Sequence, residues 1–124
     1  MIAADTSSMV AFLEGEDGDD VEMIQAALDH QQLALPPVVL SELLSDPALP
    51  KAVRWRLAAL PILNVEPGFW ERAGLLRAAV LKQKKKARVA DSLIAQSCLD
   101  QSSPLVTRDK DFRHFAAAAG LPLL

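Results

Sequence analysis

The sequence holds 124 residues, 51% of them hydrophobic and 23% charged, with eight prolines and five glycines. That is one domain, residues 1–124, long enough to bury a core and neither disordered nor repetitive. Its apolar runs fall short of the roughly 18 to 20 residues that span a bilayer, and Met1 to Asp5 reaches an acid without the basic and apolar segments of a secretion signal, so a cytoplasmic location is expected. The single cysteine, Cys98, excludes an internal disulfide, and with two histidines it cannot build the usual four-ligand zinc site, so any metal must be held by oxygen.

Ile2 to Ala4 reads as a strand ending at Asp5-Thr6-Ser7-Ser8, whose hydroxyls can cap the helix marked by Met9, Val10, Phe12 and Leu13. Glu14 to Asp20 is acidic and glycine-containing, a loop, and Val21, Ile24, Ala27 and Leu28 recur at helical spacing up to about His30. Leu33 to Leu35 predicts a second strand; Pro36-Pro37 then opens a helix through Val38, Val39, Leu40, Leu43 and Leu44. Pro47 to Leu60 reads as helix, Ile62 to Val65 as a short strand, and Pro67 to about Lys86 as one long amphipathic helix. A helix over Ala90 to Asp100, a strand at Leu105-Val106-Thr107, a helix over Phe112 to Ala119 and a last short strand at Leu121 to Leu124 complete the chain. Strands separated by helices, with no hairpin turn between them, predict an α/β fold with a mostly parallel sheet covered on both faces.

In such a sheet ligands bind outside the carboxyl ends of the strands. Asp5 follows the first strand, and Asp109 and Asp111 follow Leu105-Val106-Thr107. A lone Asp after a strand is usually a turn former or a cap. Glu42 and Asp91 are harder to explain in that way, because each falls on the apolar face of its own helix: Glu42 beside Val38, Val39 and Leu43, Asp91 beside Ile94, Ala95 and Cys98. A carboxylate so placed needs a partner. Arg54, Arg88 or Arg108 could serve, whereas a cluster of acids without matching bases calls for Mg²⁺ or Mn²⁺.

Charge is unevenly spread. Residues 1–62 carry ten acids and three bases, and residues 63–124 six acids and ten bases, with Lys82, Lys84, Lys85, Lys86 and Arg88 grouped within seven residues. Such a group is either a solvated helix end or a steering patch for a polyanion. Glycine-rich phosphate loops, Gly-x-Ser-x-Gly and Cys-x-x-Cys are absent, His30 and His114 read as surface residues, and Cys98 reads as core.

Four motifs in order carry a resemblance. They are Ile2 to Ser7 with Asp5; Val38-Val39-Leu40-Ser41-Glu42-Leu43-Leu44; Asp91-Ser92-Leu93-Ile94-Ala95; and Leu105-Val106-Thr107-Arg108-Asp109-Lys110-Asp111-Phe112. Together they resemble PIN-domain ribonucleases, and more narrowly the VapC-type toxins of bacterial and archaeal toxin–antitoxin pairs. Where relatives often have a stretch with glycine and proline before the third acid, this chain has Lys84 to Ala90.

The resemblance implies a PIN-like fold with a central sheet of about four to five short strands. It implies a metal-dependent endoribonuclease with Asp5, Glu42, Asp91 and Asp109 as catalytic acids. Asp5, Asp91 and Asp109 would hold Mg²⁺ or Mn²⁺, with Asp111 auxiliary. Thr6, Ser7 and Thr107 stand near the acids as ligand-binding hydroxyls or as helix caps. Lys84, Lys85, Lys86, Arg88, Arg108 and Lys110 would contact the RNA backbone. The resemblance also implies a VapB-type antitoxin and a homodimer, or a heterotetramer or larger assembly with that antitoxin. Surfaces around Trp55, Phe69 and Trp70 are available for the dimer. The rival expectation is a PIN-fold binding module that acts chiefly by holding its antitoxin.

Overall fold

The first apolar segment becomes the centre of the sheet. A computed structural model describes residues 1–124. In it β1 (Ile2–Ala4) lies between β2 (Leu33–Ala34) and β3 (Leu105–Val106), and both pairings are parallel. Ile2 stands opposite Leu33 and Ala3 opposite Ala34 on one side; Ala3 stands opposite Leu105 and Ala4 opposite Val106 on the other. Successive strand residues point to opposite faces, yet every one is buried except half-buried Ile2, so both faces of the sheet are covered. This is the expected α/β arrangement.

The two outer strands shrink to single parallel bridges, Leu35 with Ile62 and Leu105 with Leu123. Each sits beside a proline, which has no N–H to extend a ladder but whose carbonyl still accepts: Pro61 from Leu35 N–H and Pro122 from Leu105 N–H, both at 2.9 Å. Counting the bridges, the sheet runs Ile62, β2, β1, β3, Leu123.

Seven helices flank it: α1 (Thr6–Leu13), α2 (Asp19–Asp29), α3 (Pro37–Leu44), α4 (Lys51–Ala58), α5 (Phe69–Lys82), α6 (Val89–Asp100) and α7 (Phe112–Ala119). Three boundaries differ from expectation. The helix expected from Pro47 starts at Lys51, because Pro50 disfavours helical backbone at Leu49 and itself takes the cap. That expected from Pro67 starts at Phe69, after Gly68 turns at φ +82°. It ends at Lys82 rather than Lys86: Lys84 lies at φ +60°, and Arg77 Nε reaches back to the Ala87 carbonyl at 2.8 Å. Lys84, Lys85 and Lys86 therefore lie on a loop and not on a helix end.

Met9, Ile24, Leu33, Leu35, Val39, Ile94, Leu105, Val106, Phe112 and Phe115 form the heart of the core, with Cys98 fully buried among them as expected. Burial pushes the Cys98 thiol up to about 12, with a smaller contribution from the Asp5 charge, so it is inert packing. Arg72 ties α5 to α6 through a two-pronged bond to Asp100, 3.1 Å from Nε and 2.6 Å from Nη2. Phe115 is wholly buried, its ring 5.9 Å from that of Phe112. Phe115→Ala is expected to cost about 3–5 kcal/mol in urea unfolding.

Candidate active site

The carboxyl ends of β1 and β3 lie side by side, joined at 3.2 Å by Asp5 N–H to the Val106 carbonyl. Asp5, the first residue beyond β1, is 2% exposed. Its carboxylate caps α1, with Oδ1 accepting from Ser8 N–H at 2.9 Å. Ser7 Oγ donates to both of its oxygens, at 3.1 and 2.9 Å, and Thr107 Oγ1 donates to Oδ2 at 2.5 Å. Burial raises its pKa and these bonds pull it down, with a net rise.

The expectation that the hydroxyls after β1 cap the first helix is corrected here, because Asp5 is the cap. Thr6 Oγ1 donates instead to Glu42 Oε1 at 2.7 Å, Ser7 to Asp5, and Ser8 Oγ to Asp20 at 2.8 Å. All three are oriented by acids.

Thr107 also accepts from Asp109 N–H at 2.9 Å, and Asp109 Oδ1 accepts from Asp111 N–H at 2.9 Å. One hydroxyl thus links Asp5 to the loop that presents Asp109. Asp111 Oδ2 lies 3.8 Å from Lys86 Nζ on the basic loop. Asp91, in the first turn of α6, is half-buried. Its pKa is pushed up to about 6, first by burial and then by the charge of Asp109, with Asp5 and Glu42 adding and only Arg88 opposing. The structure therefore brings Asp5, Glu42, Asp91 and Asp109 into one electrostatic neighbourhood from four separate elements.

Glu42 is corrected in its burial. It was expected inside an apolar face, but it is exposed, because the inward stripe of α3 is Val39 and Leu43 and Glu42 falls on its rim. Neither Glu42 nor Asp91 is ion-paired; of the candidate arginines only Arg88 acts on Asp91, through its charge and without a direct bond.

Among the expected RNA contacts, Lys84, Lys85, Lys86, Arg88 and Lys110 are exposed. Arg108 is exposed as well, and it is ion-paired with Asp20 and Glu16. Arg113, which the sequence did not single out, lines a cleft of about 320 Å³ with Thr107, Asp109 and Lys110. Asp20 was also missed; its local signal is that of one more acid in a hydrophilic loop. Of the aromatic residues expected at a dimer surface, Trp55 and Trp70 are exposed, but Phe69 is buried under Trp70 at 5.0 Å.

The donor set suits a hard divalent cation, since every donor is a carboxylate or hydroxyl oxygen. The acids do not close into a ready-made cage of three or more ligands.

The model of the PIN domain family matches residues 2–118. The chain belongs to that family. PIN domains are in general nucleases and typically use divalent metals. Solved structures similar to this chain include FitAB bound to an IR36 DNA fragment, with a TM-score of 0.76, 20% identity, and coverage of 100% of this chain and 94% of that one. VapBC2 from Rickettsia felis, bound to a DNA fragment from its promoter, gives 0.70, 21%, 100% and 98%. VapBC-5 from Mycobacterium tuberculosis, a member of the VapBC family of toxin–antitoxin systems, gives 0.66, 23%, 99% and 96%. No curated protein matches the sequence.

The raised pKa of Asp91 makes a signed prediction for this PIN domain. A carboxyl raised above its unfolded value favours folding below that value and loses the contribution as pH rises through about 6. Without metal, Asp91→Asn should therefore stabilise the protein at pH 7.5 by about 1 kcal/mol, solvent screening at the half-exposed site having reduced the full value. The gain should vanish by pH 4, as read in urea unfolding at the two pH values.

Proposed function

We propose that this PIN domain is a metal-dependent endoribonuclease, the toxin of a VapBC-like toxin–antitoxin pair, hydrolysing RNA phosphodiester bonds at its acid cluster. The observation that carries the reading is that Thr107 joins Asp5 to the Asp109 loop where β1 and β3 end, while neither Asp91, whose pKa burial and then the Asp109, Asp5 and Glu42 charges raise, nor Glu42 forms an ion pair. Such a cluster is unfavourable in the ionised state until a cation joins it.

Asp5, Asp91 and Asp109 are the residues that would hold Mg²⁺ or Mn²⁺, with Asp111 in an auxiliary position. When bound, the ion lowers the pKa of a water and offsets charge developing on a phosphate oxygen. Thr107 and Ser7 favour the charged form of Asp5 by donating to it and fix its orientation. Glu42 has Oε1 occupied by Thr6, which leaves Oε2 to orient an attacking water. Lys84, Lys85, Lys86 and Arg88 on the loop after α5, with Lys110 and Arg113 along the cleft beside Asp109, would contact the RNA backbone. Arg108 lines the same cleft, but its donors are engaged by Asp20, Glu16 and the Asp17 carbonyl.

Similarity to chains of FitAB and VapBC complexes supports a VapB-type antitoxin as partner and an assembly of a homodimer, heterotetramer or larger. Exposed Trp55 and Trp70 offer apolar contact area for it. The same neighbours favour the second reading, a binding module that works by holding its antitoxin. A cytoplasmic site of action belongs to both readings; no helix is long and apolar enough to cross a membrane.

End-labelled total RNA incubated with the purified protein and Mn²⁺, Mg²⁺ or chelator tests the nuclease. Discrete metal-dependent products are expected, lost by roughly a hundredfold or more in Asp5→Asn and in Asp91→Asn when both are folded. Absence of both cleavage and Mn²⁺ binding would leave the binding module. Replacing Lys84, Lys85 and Lys86 by alanine should flatten the slope of log RNA affinity against log salt by about 2.

A further inference from the structure

We infer that Asp20 and Arg108 are positioning residues that hold Asp5 and the Asp109 loop in register with one another. Arg108 Nε donates to Asp20 Oδ2 at 2.7 Å and Nη2 to Oδ1 at 3.1 Å, while Nη2 also reaches the Asp17 carbonyl at 3.3 Å and Nη1 reaches Glu16 Oε1 at 3.4 Å. Four donor contacts therefore face the loop after α1 and the first turn of α2, and the planar fork is matched to the Asp20 carboxylate.

From Asp20 two short paths lead into the acid cluster. In one, Asp20 Oδ2 accepts from Ser8 Oγ at 2.8 Å, and the backbone N–H of Ser8 is the donor to Asp5 Oδ1. In the other, Arg108 is the residue between Thr107, which donates to Asp5 Oδ2, and Asp109, whose N–H is held by that same hydroxyl. The pair thus closes a ring through Asp5 at the end of β1, α1, the start of α2 and the loop after β3, to which Asp109 is tied by Thr107.

The backbone is shaped to admit the pair. Gly18 lies at φ +151°, where a side chain is rarely tolerated. A Cβ there would come within 2.5 Å of Asp20 Oδ1 and 3.1 Å of Arg108 Nη2. The missing side chain at Gly18 and the ion pair occupy the same space, although 88 positions separate Asp20 from Arg108 in sequence. A surface ion pair of the ordinary kind contributes little. This one is set apart by its fork geometry and by what both ends are bonded to.

The activity arm of the test rests on the nuclease reading; the other two arms do not. Mn²⁺ affinity is measured by calorimetry, and amide hydrogen exchange of Asp109 and Asp111 is measured in the metal-free protein. The variants are Asp20→Ala, Arg108→Ala, the double variant, Gly18→Ala and, as a control, Arg72→Ala, which breaks an ion pair outside the acid cluster. Asp20→Ala, Arg108→Ala and Gly18→Ala should each weaken Mn²⁺ binding about tenfold and speed exchange at both amides, the double variant being no worse than either single.

In the activity arm kcat falls and KM for RNA holds, while Arg72→Ala keeps Mn²⁺ affinity and kcat even where it lowers Tm as much. Unchanged exchange and Mn²⁺ affinity in Asp20→Ala would overturn the inference. So would additive effects with Arg108→Ala raising KM alone, which would make Arg108 a substrate contact, or an Arg72→Ala variant that behaves like the others. A wild-type protein that cleaves no RNA, yet shows the exchange and Mn²⁺ effects, would remove the nuclease reading and leave the pair.

Discussion

Asp5 leaves the central strand where parallel strands end together, and its carboxylate has to be both buried and charged if it is to bind a cation. Burial alone would neutralise it. The hydrogen bonds from Ser8 N–H, Ser7 and Thr107 oppose that, and each comes from an element whose position follows from the sheet. Ser7 and Ser8 are fixed because α1 starts directly at the strand end. Thr107 is fixed because β3 pairs with β1 in the register Ala4 to Val106. A shift of one residue in that pairing would take the Thr107 hydroxyl to the other face of the sheet.

The remaining acids differ from Asp5 in how much water they keep, and the difference divides their chemistry. Asp91 is half-buried and unpaired, so its proton is lost near neutral pH and its charge is the one most sensitive to what else enters the site. Glu42 stands in solvent on the rim of α3, anchored by Thr6, where it can meet a water or a substrate without first being desolvated. Asp109 is carried by backbone turns rather than by a helix, and its placement depends on the Thr107 and Arg108 contacts on either side of it. One residue class is thus set in graded environments, from buried Asp5 through half-buried Asp91 to exposed Glu42.

Much of this was legible in the residues. Pro36-Pro37 marked the entry to α3, the spacing of Ile94, Ala95 and Cys98 marked the inward face of α6, and Asp5 and Asp109 stood after strands where a parallel sheet places its ligands. Periodicity gave the face of Glu42 but not its depth, because depth depends on which neighbouring helix covers the rim. The end of α5 was hidden for a related reason: Gln83 to Lys86 contains nothing that forbids a helix, and the turn is set by Arg77 binding a carbonyl ten residues on. Asp20 could not be found from its surroundings at all, since the residue that gives it meaning lies at the other end of the chain.

The order in which the chain is made gives the sheet topology a further consequence. Of the two neighbours of β1, β3 is synthesised only after six intervening helices. Until residues 105–109 have left the ribosome, the central strand is paired on one side only, Asp5 lacks the Thr107 hydroxyl, and Asp109 is not yet present. A chain that stops short of β3 therefore cannot assemble the acid cluster, however well its first six helices form. Strand order thus ties assembly of the acid cluster to the arrival of β3 beside β1.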